Sequence, residues 1–184
     1  MTVATIPFQG FIHHVEASLK SSHPIIAASL PEASLRALVQ RRFEKYLVYL
    51  INTYRLENVF EADTPEAQYK EFESLCVSGE VWSNLQGIFP ELIEQWEKAL
   101  GELELNCADI YRDFARDRVQ IAAANNVAPA TLQIRSLQPM GDPHAGRVVM
   151  RVDCGLGLRL FHKPRSAAND QALHDVISAL NQPG

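Results

Sequence analysis

Apolar residues recur at three- and four-residue spacing through the first two thirds of the chain, which predicts amphipathic helices. The stripes cover residues 7–20, 29–54, 64–79 and 90–114. Gly101 lies inside the last stripe and leaves open whether it is one helix or two. The aromatic residues in these stripes are far more typical of a packed core than of a cofactor site.

Local sequence marks the ends of two of these helices. Ser29 and Glu32 form the S-x-x-E pattern of a capping box, which predicts that the second helix begins at Ser29. Thr64 precedes Pro65, a capping residue followed by proline at the first helical position. Gly79 is a plausible stop for the helix that starts there.

Beyond Asn125 and Asn126 the pattern changes to strand period. Apolar residues alternate with polar ones across 132–137, and two further short strands are predicted at 147–153 and 158–163. Gly155 and Gly157 lie between the last two as turn residues. Ser166 can cap a final helix. The fold class is therefore α+β, with a helical region over 1–128 and a small antiparallel sheet plus one helix over 129–184.

The composition is that of an ordinary globular protein, with 47% hydrophobic and 21% charged residues. An export signal would show a cationic stretch followed by an apolar run, and the first 20 residues do not have this pattern. No stretch approaches the roughly 18 apolar residues of a membrane span. Three distant cysteines, Cys76, Cys107 and Cys154, are typical of reduced, buried thiols rather than a disulfide or zinc framework. We therefore expect a cytoplasmic protein, and its net charge of −5 argues against nucleic-acid binding.

Residues 131–165 form a short cationic block within an otherwise acidic chain. Two acidic residues, Asp142 and Asp153, accompany its basic ones. The basic residues are Arg135, Arg147, Arg151, Arg159, Lys163 and Arg165. Such a block indicates either a local anionic ligand such as a phosphate group or one solvated strand face, and charge alone does not separate the two.

The first cluster with chemical potential is the sequence Gly-Asp-Pro-His-Ala-Gly-Arg over 141–147, interpreted as a turn between the second and third strands. Gly141 and Gly146 would let backbone N–H groups approach a ligand closely. Asp142 and His144 could supply a proton acceptor, a hydrogen-bond donor to phosphate or a metal contact. The alternative is an ordinary turn with an exposed histidine.

The second cluster is His162-Lys163-Pro164-Arg165, at the end of a predicted strand. A strand-borne lysine beside a glycine-bearing hairpin is an arrangement that kinases use to hold nucleotide phosphates. Arg165 could brace it or make a bidentate phosphate contact. The alternative is a surface Lys-Pro-Arg, and the absence of a Gly-x-x-x-x-Gly-Lys-Ser/Thr loop excludes a Walker-type site.

Together the two clusters resemble a stretch of the class II lanthipeptide synthetases (LanM-type), which reads Gly-Asp-x-His, then two strands, then Tyr-Lys-Pro-Arg-Ser and a helix ending near Leu-Asn. The resemblance covers about residues 7–184. His162 is one departure, since tyrosine is usual there. The upstream features that follow the family's order are Pro7-Phe8, the helix after Ser29, Tyr54-Arg55-Leu56-Glu57, Tyr69-x-x-Phe72, Phe89-Pro90 and Trp96.

The resemblance implies the N-terminal part of a dehydration domain with a truncated, lipid-kinase-like fold, in which residues 129–184 are a partial kinase N-lobe. That domain uses ATP and Mg²⁺ to phosphorylate serine and threonine of a precursor peptide, then eliminates phosphate to give dehydroalanine or dehydrobutyrine. By position, Lys163 matches the ATP-contacting lysine, with Gly141, Gly146 and Arg165 around the nucleotide. Asp142 and His144 match residues needed for dehydration. No metal ligand is predicted among these residues.

The family's later Asp-x-His-x-x-Asn stretch and its cyclase domain have no counterpart in these 184 residues. We therefore expect no turnover from this chain alone, whose partners would be the precursor peptide and a polypeptide carrying the second lobe and the cyclase. The alternative is a non-catalytic module that binds a peptide or partner, as a split-enzyme subunit or decayed fragment. The enzymatic interpretation requires Asp142 and Lys163 to share one site.

Overall fold

A computed structural model describes residues 7–144 and 147–163, together with positions 172 and 177. Six helices make up the first part of the chain: α1 Gln9–Ser22, α2 Pro24–Ser29, α3 Glu32–Leu56, α4 Pro65–Ser78, α5 Glu80–Ile88 and α6 Pro90–Ala124. Helices α1, α3, α4 and α6 correspond to the predicted stripes, and α6 is one unbroken helix through Gly101. Helices α2 and α5 have only 6 and 9 residues, too few for a periodic stripe to be distinguished.

The predicted capping box at Ser29 is wrong. Pro24 starts the short helix α2, which takes Ser29 as its last residue, so Ser29 does not lie at a helix start. Its hydroxyl instead donates to the Tyr111 hydroxyl oxygen at 3.2 Å. Helix α3 begins after Pro31, whose side chain offers no cap.

The predicted ends of α4 are confirmed. The Thr64 hydroxyl oxygen accepts a hydrogen bond from the Ala67 amide at 3.3 Å, which satisfies one donor that the first helical turn leaves open. Gly79 ends the helix with φ of 86°, a left-handed conformation that glycine adopts at little cost. The same residue directly precedes α5, so one glycine both ends a helix and begins the next.

An aromatic cluster forms the centre of the helical region. The Phe43 ring lies 5.3 Å from Phe11, 5.7 Å from Trp82 and 5.1 Å from Trp96, measured between ring centroids. These four rings come from α1, α3, α5 and α6, so a single side chain on α3 contacts three other helices. The aromatic stripes therefore build the core, as the sequence predicts.

Helix α1 is fixed to α4 by a carboxylate. Glu73 accepts the Gly10 amide at 2.6 Å and the Tyr69 hydroxyl at 2.6 Å, while the Tyr69 oxygen accepts the Phe8 amide at 2.8 Å. Two of the donors that α1 leaves open at its start are thereby satisfied from a neighbouring helix. Burial, with the hydrogen bond to Glu73, raises the pKa of Tyr69 to about 12.

The sheet has three antiparallel strands in the order β1-β2-β3, namely Ile134–His144, Arg147–Cys154 and Arg159–His162. Short 3₁₀ segments, Pro129–Thr131 and Gly155–Gly157, lie before β1 and between β2 and β3. The predicted strands are confirmed, but β1 runs on to His144. The Gly-Asp-x-His sequence therefore ends a strand rather than forming a turn, and it joins the first and second strands, not the second and third.

One face of the sheet packs on the helices. Val148, Met150, Val152 and Cys154 alternate along β2 with partly exposed residues and are buried, as is Leu137, the partner of Val152 on β1. These side chains belong to the same apolar core as the helices. The α+β class is confirmed. Positions 172 and 177 are helical, while Ser166 lies outside the described residues.

All three cysteines are free and buried. Burial raises the pKa of the Cys76 and Cys107 thiols to about 12 and also raises that of Cys154. Because the thiolate is the reactive form, we expect native protein to react negligibly with Ellman's reagent at pH 8, and all three thiols to react after denaturation. Rapid labelling of even one thiol in the native protein would contradict this arrangement.

Within the described residues, no helix combines the length and apolar character needed to cross a membrane.

Candidate functional site

Strands β1 and β3 end at the same end of the sheet. Both pair antiparallel with β2, so both run in the direction opposite to it and finish where β2 begins. Met140 pairs with Val149 and His162 pairs with Met150. Gly141 and Lys163, the next residues in each strand direction, therefore lie on either side of the start of β2. Two strand spacings separate their backbones, about 9–10 Å.

Gly141 offers open backbone at this end of the sheet. It is exposed, its φ is +77°, and a Cβ built at this position would meet no atom within 4 Å. The register between β1 and β2 is irregular from Met140 to His144, which is typical of a bulged strand end. An exposed, irregular strand end of this kind gives a ligand room to approach the backbone.

The other residues of the first cluster are only partly described. The backbones of Asp142 and His144 belong to β1, and His144 pairs with Arg147 across the hairpin. Their side chains, and all of Gly146, lie outside the described part of the structure, as does Arg165 from the second cluster. What the described backbone establishes is that positions 142 and 163 lie at one end of the sheet.

Lys163 is exposed and directly follows β3. Its neighbour His162 is half-buried on the inner face of the sheet, and the Nε2 atom of His162 lies 3.2 Å from Oδ2 of Asp113 on α6. An ionised carboxylate can only accept, so Nε2 carries the proton in this hydrogen bond. The position at which this chain departs from the usual tyrosine thus joins the end of β3 to a helix.

Helix α6 also holds β2. The side-chain amide of the buried Asn106 donates to the Val148 carbonyl at 2.9 Å. Asp113 follows Asn106 by seven residues, two helical turns or about 10 Å along the axis. One face of α6 therefore contacts two neighbouring strands, β2 through Asn106 and β3 through Asp113.

Part of the cationic block is paired within the sheet itself. On the outer face, Asp153 accepts from the Arg151 guanidinium at 2.8 and 3.1 Å, and Arg159 Nε lies 3.5 Å from its second oxygen. For these two arginines the structure favours the strand-face interpretation of the block. Lys163 follows β3 at the strand ends, where the sequence predicts an anionic ligand.

Sequence reasoning did not find Asp113 or Asn106. Asp113 is 49 positions from its partner His162, and Asn106 is 42 from Val148. Both lie in a helix whose polar residues have the spacing of a solvated face. Only the packing of α6 across the strands singles them out.

The C-terminal half of the chain, residues 89–184, matches the family described as "Domain of unknown function (DUF4135)". This match covers just over half of the chain and includes α6, the sheet and both site clusters. The chain belongs to the DUF4135 family.

A curated relative is similar along almost the whole chain. The "Lacticin 481/lactococcin biosynthesis protein LcnDR2" of Lactococcus lactis subsp. lactis is 24% identical over 184 residues, which cover 98% of this chain. The same alignment covers 19% of that protein, so the chain spans about a fifth of the relative's length. The predicted resemblance to LanM-type synthetases is confirmed by these two similarities.

Proposed function

We propose that this chain is the part of a LanM-type lanthipeptide synthetase that binds the phosphates of ATP for dehydration of a precursor peptide. The proposal is supported by membership of the DUF4135 family and by similarity to a protein named for lacticin 481 biosynthesis. The observation that carries it is the common end of β1 and β3, where Gly141 and Lys163 lie on either side of β2.

The residues at this end fit a polyphosphate. The Lys163 ammonium supplies a point charge for the phosphate oxygens, and the open backbone of Gly141 lets N–H groups approach them. Gly146, which lies outside the described residues, is proposed for the same role from the sequence. Arg165 braces the lysine or makes a second phosphate contact. When bound, ATP with Mg²⁺ supplies the γ-phosphoryl group for a serine or threonine hydroxyl. Asp142 and His144 hold or move the proton of that hydroxyl and assist the later loss of phosphate.

Magnesium requires few protein ligands in such a site. Within the part of the chain that the structure describes, no three His, Cys, Asp or Glu side chains converge to hold a metal ion. Phosphate-bound Mg²⁺ is commonly held by one or two carboxylates together with the phosphates and water.

In this proposal residues 129–184 form a partial kinase-like N-lobe and residues 1–128 form the helical region of the dehydration domain. The second lobe and the cyclase lie on further polypeptide, consistent with alignment to a fifth of LcnDR2. Incubation of this chain alone with MgATP and a serine- and threonine-rich precursor should yield no phosphopeptide. Formation of phosphopeptide would show that the chain is catalytically complete.

The nucleotide site is tested by titration calorimetry with MgATP on the folded chain. Lys163→Ala should weaken binding by about 10- to 100-fold, because one charged hydrogen bond to phosphate is lost. The matched control is Lys98→Ala on the exposed surface of α6, which removes the same charge away from the sheet and should leave the affinity unchanged. Absence of binding at millimolar MgATP, or equal affinity in Lys163→Ala and wild type, would contradict the proposed site.

A further inference from the structure

We propose that Asp113 and His162 act as a positioning pair, in which α6 holds the end of β3 and thereby fixes Lys163 relative to the β1–β2 hairpin. The inference rests on the proposed function for its ligand. His162 belongs to the second cluster, but neither His162 nor Asp113 is a candidate phosphate contact. Their role would be to orient Lys163 rather than to touch substrate.

The contact itself is well defined. One oxygen of Asp113 accepts from His162 Nε2 at 3.2 Å, while the other lies 3.1 Å from Arg116 Nη1 on the same helix. The hydrogen bond from His162, aided by the charge of Arg116, holds the pKa of Asp113 below its usual range. The carboxylate is therefore ionised at neutral pH and is oriented by partners on both sides.

Strand β3 depends on such a contact because it is short. It has four residues and pairs with β2 on one side. Leu160 and His162 are half-buried toward the helices, whereas Arg159 and Phe161 are exposed. His162 is the last residue of the strand, so its side chain fixes the point from which the chain continues to Lys163.

The position of Asp113 on α6 lets the same helix contact both β2 and β3. Asn106, two turns earlier, fixes the start of β2 through the Val148 carbonyl. Because β2 begins beside the end of β3, the two contacts set the relative position of these strands at the proposed site. Among the described residues the Nδ1 atom of His162 is buried without a hydrogen-bond partner, so the ring is oriented through Nε2.

The variants for the test are Asp113→Ala, which removes the acceptor, and His162→Phe, which keeps a ring but removes both nitrogens. Asp113→Asn retains an acceptor oxygen, so this variant should keep most of the amide protection and MgATP affinity of wild type. The matched control is Glu94→Ala, which removes an exposed carboxylate from the part of the same helix that precedes Asn106. Each variant is measured by amide hydrogen exchange over 159–163 and by MgATP titration.

We expect Asp113→Ala and His162→Phe to speed exchange of these amides and to weaken MgATP binding by about 5- to 10-fold, since a displaced contact group loses part of its interaction. The double variant should bind MgATP no more weakly than either single variant, because both substitutions remove the same contact. In His162→Phe, carbon-13 NMR should show the pKa of Asp113 moving up toward its usual range. Glu94→Ala should resemble wild type in exchange and binding.

The outcomes separate this inference from the proposed function. Unchanged amide hydrogen exchange over 159–163 in Asp113→Ala would overturn the positioning role, whether or not the MgATP affinity changes. Faster exchange with no MgATP binding by wild type would leave the positioning of the strand supported and the nucleotide site refuted. Faster exchange with unaltered affinity, while Lys163→Ala weakens binding as expected, would overturn the claim that the pair positions the lysine.

Discussion

Replacement of Phe43 by alanine is expected to lower the free energy of unfolding by about 3–5 kcal/mol, the range found for buried phenylalanine. The ring is fully buried and contacts aromatic rings from three other helices, Phe11, Trp82 and Trp96. Its removal would leave a cavity that four helices would have to close together. Guanidinium denaturation followed by tryptophan fluorescence measures the loss, since both tryptophans of the chain adjoin the altered site.

The same helix supplies the control. Leu56, the last residue of α3, is 84% exposed, and Leu56→Ala should change the free energy of unfolding by less than about 0.5 kcal/mol. Circular dichroism of both variants before denaturation verifies that they are folded. Equal losses in the two variants would mean that α3 does not bury the face assigned to it.

Gly10→Ala is expected to destabilise the protein by about 1–3 kcal/mol, although alanine is normally the better helix residue. A Cβ at this position would lie 2.7 Å from the backbone carbonyl oxygen of Glu73 and 2.8 Å from its carboxylate. The carboxylate could move only by giving up the Gly10 amide and the Tyr69 hydroxyl, and the carbonyl belongs to α4 itself. Because α1 and α4 approach so closely here, the substitution should destabilise the protein rather than stabilise it.

Gly101→Ala provides the opposite case in a helix interior. A Cβ there meets no atom within 4 Å outside its own helix, so the gain in helix propensity should stabilise the protein by about 0.5–1 kcal/mol. Both variants are compared by thermal and guanidinium denaturation under one set of conditions. Stabilisation by both substitutions would contradict the tight contact between α1 and α4.

The longer helices could be predicted because each buries one continuous stripe against the rest of the molecule. Short helices could not, since α2 and α5 span too few turns for a stripe to repeat. The error at Ser29 has the same origin. A local capping pattern was interpreted without the six-residue helix that Pro24 begins, and that helix moves Ser29 from a helix start to a helix end.

For the candidate site, the sequence indicates the residues that lie on strands and turns but not those that hold them. Gly141 and Lys163 stand out through local motifs, and strand direction then brings them to one end of the sheet. Asp113 carries no local signal, because its importance depends on a histidine 49 residues away. Contacts of that range follow from helix packing, which periodicity does not determine.

The unbroken course of α6 has a practical consequence for dividing this protein. The helix carries Trp96 in the aromatic cluster and, further along, Asn106 and Asp113 against the strands. A protein cut at residue 128 would strip the sheet of the surface that covers Met150 and Val152, and the released piece should aggregate. Any shortened version intended to retain the sheet must carry α6 with it.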